Sequence, residues 1–153
     1  MKKAIIIAVA VVLCAVLIFF LIPSIPGTYS FTHSVDTWED VKIEIVQIND
    51  PVCGTYYTTG SFDTAYNVEK ITVIAEVTKN AVFIQELQKV RSYRPWGDPF
   101  SEIAGEAIRL TYPDGEIELI TACGSALISD SQVSIRTITF NAEQFHDLFE
   151  AWS

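Results

Sequence analysis

Residues 106–122 read EAIRLTYPDGEIELITA. Apolar and polar residues alternate on both sides of a Pro-Asp-Gly-Glu centre, the pattern of two short strands joined by a tight turn. A two-residue turn at Asp114-Gly115 would set Tyr112 opposite Ile117, Leu110 opposite Leu119 and Ile108 opposite Thr121. One face of the hairpin is then apolar. Arg109, Thr111, Glu116 and Glu118 mostly take the other.

On the N-terminal side, residues 41–45 alternate apolar and charged, the period of a half-buried strand. Val46, Gln47 and Ile48 extend it with a change of phase that suggests a bulge. Residues 55–59 offer a further short strand, and residues 71–77 another. Asn80 then offers an N-cap, and Phe83, Ile84, Leu87 and Val90 recur at helical spacing. On the C-terminal side, residues 126–129 suit a short strand and residues 133–140 a longer one. Asn141 with Gln144 forms a capping-box signature, and Phe145, Leu148, Phe149 and Trp152 make an i, i+3, i+4, i+7 stripe. The pattern predicts an α+β fold: an antiparallel sheet with two helices packed on one face, a two-layer β-α-β-β-β-α core.

A different kind of segment precedes this domain. From Ala4 to Ile22 the chain runs AIIIAVAVVLCAVLIFFLI, 19 residues without a charge, after Lys2 and Lys3. As a helix it would span roughly 28 Å, close to the ~30 Å of a bilayer core. Pro23 and Pro26 stop it. No Lys or Arg follows until Lys42, so the positive-inside bias puts the N-terminus in the cytoplasm and the domain outside the cell membrane. The sequence thus divides into a cytoplasmic stub and single-pass transmembrane anchor (1–22), a tether (23–33) and an extracytoplasmic domain (34–153). A cleaved signal peptide is the competing reading, against which stand the length of the run and its Pro-rich exit. Cys14 follows Leu13, where a lipoprotein signal would want a small residue, and so reads as an apolar helix residue.

Residues 23–153 hold all 19 acidic and 8 of the 10 basic residues, a balance of −11. Such a surface repels phosphate backbones, which argues against nucleic acid as a partner. No Gly-rich phosphate loop, nucleophile elbow or zinc-protease motif is present, so the chain reads as a non-enzyme without a cofactor. Cys53 and Cys123 are the cysteines beyond residue 22, in a compartment that permits disulfides; a bridge between them and two inert buried thiols both fit. His33 and His146 have no partner at a spacing that suggests a triad or a zinc site. Asp36, Glu39 and Asp40 form an acidic group with no regular calcium-loop spacing, which reads as a solvated face or a short helix start. Arg91, Tyr93, Arg94, Trp96 and Phe100, in the irregular stretch 91–103, are the types that dominate binding hot spots. Their rival reading is closure of the core edge.

The Lys-Lys-led anchor, the EKITV strand before a helix, the YPDGEIELI hairpin and the closing strand and amphipathic helix together resemble small membrane-anchored extracytoplasmic domains of unknown function from Gram-positive, clostridia-like bacteria. The resemblance covers residues 69–153 and implies no activity. The expected function is therefore that of a membrane-tethered interaction domain with an unknown protein partner. Alternatives are an immunity- or inhibitor-type protein blocking a basic envelope or secreted partner, and an enzyme with an unrecognised site. A cleft gathering carboxylates or a His would favour the enzyme. An exposed apolar patch at a sheet edge or on residues 91–103 would favour binding.

Overall fold

Alternating strands place themselves beside their sequence neighbours, and an antiparallel sheet results. The structure, a computed structural model, describes residues 2–21, 26–31, 33, 35–49, 71–93, 104–129, 132–136 and 138–153. Strands β1 (Lys42–Ile48), β2 (Ile71–Glu76), β4 (Gly105–Thr111), β5 (Ile117–Thr121), β6 (Gly124–Ser129) and β7 (Gln132–Arg136) form a six-stranded sheet in the order β2-β1-β4-β5-β6-β7. Every neighbouring pair is antiparallel. Two short strands, β3 (Ser92–Tyr93) and β8 (Thr139–Phe140), pair separately. Helices α2 (Asn80–Lys89) and α3 (Ala142–Trp152) pack on one face of the larger sheet. Phe83, Ile84 and Leu87 from α2 and Phe145, Leu148 and Phe149 from α3 meet Ile43, Ile45, Ile108, Leu110 and Ile120 there. The α+β class, the antiparallel sheet and the helical layer are as the sequence predicts.

The hairpin register is not. Thr111 faces Ile117, Leu110 faces Glu118, Arg109 faces Leu119 and Ile108 faces Ile120. The loop holds three residues, Pro113, Asp114 and Gly115, closed by Tyr112 N–H to Glu116 C=O at 2.9 Å. Gly115 adopts φ 90°, the left-handed position that such a loop needs and that glycine takes without a Cβ penalty. A slip of one residue moves a whole strand's side chains to the other face. Glu118 therefore points into the main core instead of outward, and Leu119 joins Arg109 on the opposite face. That opposite face is also apolar: Val46, Ile48, Ala107, Leu119, Ala126 and Ile128 form a second buried cluster.

Other elements depart from the sequence reading in smaller ways. The bulge lies in β2, not β1: Ile45 pairs with Ala75 and Val46 with Val73, so Ile74 is the extra residue. Asn80 starts α2 but is not its cap. Its amide donates to the carbonyls of Trp38 and Val41 at 2.9 and 2.6 Å, tying the helix start to a 3₁₀ turn, Trp38–Asp40. Thr37 caps that turn through Glu39 N–H, so the Asp36–Glu39–Asp40 group does sit at a short helix start. The strand expected over 133–140 is two strands in two sheets. The chain leaves β6 after β7 and turns to β3, which buries Ile138 and Phe140 in the main core. Asn141 caps α3 by accepting from Gln144 N–H at 3.0 Å. The strand considered at 55–59 lies outside the described residues.

The segment read as a tether is part of the domain from Gly27 onward. Gly27 and Ser92 exchange both backbone hydrogen bonds, at 2.7 and 3.1 Å. Tyr29 is 2% exposed and sits against Phe31 and Phe140. Before it comes α1 (Lys2–Leu21), a 20-residue helix. Its described side chains, at residues 7 and 9–18, are all exposed. Among the described residues no helix is long and apolar enough to cross a membrane. The transmembrane helix expected from the sequence is thus not established by the structure.

Candidate functional site

Two segments far apart in sequence meet at the turn of the β4–β5 hairpin. The N-terminal segment delivers His33, Asp36 and Asp40, and the turn delivers Asp114 and Glu116. His33 Nε2 contacts Glu116 Oε2, and His33 Nδ1 lies 3.9 Å from Asp114 Oδ2. The imidazole rests on the ring of Tyr112, centroids 4.3 Å apart. Asp114 Oδ1 accepts Glu116 N–H at 3.0 Å, which aims Oδ2 toward the imidazole. A cleft of about 270 Å³ opens beside His33, with Asp36, Asp40, Tyr112 and Asp114 in its wall. No Lys or Arg stands among the described residues that line it.

The floor of this region is a buried carboxylate. Glu118, fully buried, accepts from Tyr29 Oη at 2.5 Å and from Tyr112 Oη at 2.6 Å. Hydrogen bonds of this length satisfy a buried polar group that would be costly to leave unpaired. They also fix Tyr112, and through it the ring of His33. The hairpin slip makes this possible, because the expected register would have turned Glu118 to the opposite face, beside Arg109.

A second His–carboxylate group lies on the helical layer. His146 Nδ1 is 2.9 and 3.0 Å from the two oxygens of Glu106, and Glu150 stands one helical turn along α3. The hydrogen bond and charge of Glu106 raise the His146 pKa above its ordinary 6.5, with smaller help from Glu150 and Asp147 against a weak opposing effect of burial. A raised histidine stabilises the fold fully below the unfolded value and loses that contribution as pH rises through the folded one. The melting temperatures of the wild type and His146→Ala should therefore differ near pH 5 and converge by about pH 9. A gap that persists unchanged at pH 9 would mean that His146 acts by packing.

The remaining sequence candidates fall as follows. Arg91 is exposed, Tyr93 is half-buried in β3, and Arg94, Trp96 and Phe100 lie outside the described residues. Cys123 is a free, exposed thiol at the β5–β6 turn, and Cys53 lies outside the described residues. Sequence spacing missed both histidine groups because their partners are 83 and 40 residues away. The turn register and the docking of the N-terminal segment bring the first group together, and the packing of α3 on β4 the second. Among the described residues β2 is an edge strand of the larger sheet, and its Val73 and Ile74 are 47% and 45% exposed. Comparison with known proteins returns no matching family model, curated protein or solved structure.

Proposed function

We propose that this chain is a membrane-tethered binding domain, held at the outer face of a cell membrane by its N-terminal helix. One observation carries the reading. Ile7, Val9, Val11, Val12, Leu13, Val16, Leu17 and Ile18 are 45–64% exposed, and successive 100° steps spread them round the whole helix. A helix apolar on all sides needs an apolar surrounding. The uncharged run from Ala4 to Ile22 is long enough to find it in lipid, and Lys2 and Lys3 favour a cytoplasmic N-terminus. The docked Gly27 and Tyr29 leave few residues between helix and domain, so the domain would stand close to the bilayer.

The binding surface that supports this reading is the β2 edge. An exposed apolar edge strand invites strand addition by a partner. Protease added to intact cells should digest the domain while the undigested protein fractionates with membranes, and cross-linking to its membrane partner should fall in Ile74→Lys. A protein released into the medium with a new N-terminus near residues 24–31 would overturn the anchor, and unchanged cross-linking would overturn the edge. The acidic cleft favours a second reading: gathering His33 with carboxylates is the arrangement expected of an enzyme with a site its sequence does not announce. It also suits an inhibitor-type protein with a basic target.

A further inference from the structure

We propose that His33, Asp114 and Glu116 bind a transition-metal dication of the Zn²⁺ class. The inference is independent of the membrane reading. One donor atom from each residue lies within 4.8 Å of the others. Ligand atoms around a tetrahedral zinc at ~2.0–2.2 Å are about 3.4 Å apart, so the group closes on an ion by small side-chain movements. The His33–Glu116 pair parts slightly, and Asp114 moves inward.

The donor chemistry selects the ion. Calcium and magnesium take oxygen ligands, whereas an imidazole nitrogen with two carboxylate oxygens suits zinc, cobalt or iron. One ring nitrogen of His33 takes the metal. The ring is already oriented by Tyr112, itself fixed on buried Glu118. His33 and Glu116 side chains are only 26% and 29% exposed, so ordering them costs little. Asp36 and Asp40 add negative charge to the same cleft, with no described lining cation to offset it. Three protein ligands beside an open cleft leave a coordination position for water or a fourth group. The Glu106–His146–Glu150 group is the weaker candidate: the His146 side chain is 55% exposed, and its contact is a simple surface ion pair.

The test titrates Co²⁺, which absorbs in the visible, into the full-length protein in detergent micelles. One equivalent should give a visible band that Zn²⁺ removes and excess Ca²⁺ or Mg²⁺ does not. Asp114→Asn, at an exposed position that folding tolerates, should weaken binding at least about tenfold, and His33→Ala should abolish the band. His146→Ala should leave it intact. Absence of binding, loss of the band in His146→Ala with retention in His33→Ala, or displacement by equimolar Ca²⁺ would each overturn the proposal.

Discussion

Phe145→Ala should destabilise the domain by about 3–5 kcal/mol, the usual cost of deleting a large buried aromatic. Phe145 is 1% exposed and lies against Phe140, centroids 5.4 Å apart. Its neighbours come from several elements: the sheet beneath, α2 through the shared core, and β8 through Phe140. A void there has no single flexible wall that could collapse into it. Domains of this size carry about 5–15 kcal/mol in total, so the variant would lose a large share of its stability. Urea unfolding of the two proteins measures it. A loss below about 1 kcal/mol would mean that α3 does not seal the core.

Much of this packing was legible in the sequence because it rests on local periodicity. The stripe through Phe145, Leu148 and Phe149 and the alternation in 106–122 each specify a face. What alternation cannot specify is which of two registers a loop selects. The pattern fits both, because the second face of the sheet is also buried through Val46, Leu119 and Ala126. Pro113, whose fixed φ suits the first turn position, and Gly115 at φ 90° were the residues that could have pointed to the three-residue loop. The same ambiguity hid the cleft. Glu118 reads as a solvent residue until the register turns it inward, and then two tyrosine hydroxyls meet it. His33 reads as part of a tether until Tyr29 is seen in the core.

The second large effect lies on the opposite face of the sheet. Glu44 and Arg109 stand directly opposite each other on β1 and β4. Their side chains are only 5% and 11% exposed, and Arg109 Nε and Nη2 both donate to Glu44 Oε2 at 2.7 Å. Lys42 reaches the other oxygen at 2.9 Å. Burial alone pushes the Glu44 pKa up, but the hydrogen bonds from Lys42 and Arg109, with their charges, outweigh it and hold the carboxyl below its ordinary 4.5. Removing one partner of a buried pair strands the other, at about 3–5 kcal/mol. Lys42 is half exposed and offsets part of this, so Arg109→Met should cost about 3 kcal/mol at pH 7, the lower end of that range. The sign with pH follows. A depressed carboxyl stabilises the fold above its unfolded value and ceases to do so as pH falls through its folded one. In Arg109→Met the burial effect gains on the remaining bonds, the Glu44 pKa rises, and the carboxyl takes up its proton at a higher pH than in the wild type. The deficit of the variant should then shrink as both proteins are brought below about pH 4. Glu44→Gln combined with Arg109→Met should recover stability relative to Arg109→Met alone, because no charge is left buried. Urea midpoints for the single and double variants at pH 7 and pH 4 decide it. A double variant less stable than Arg109→Met would show that the two residues hold the sheet by packing and not by their charges.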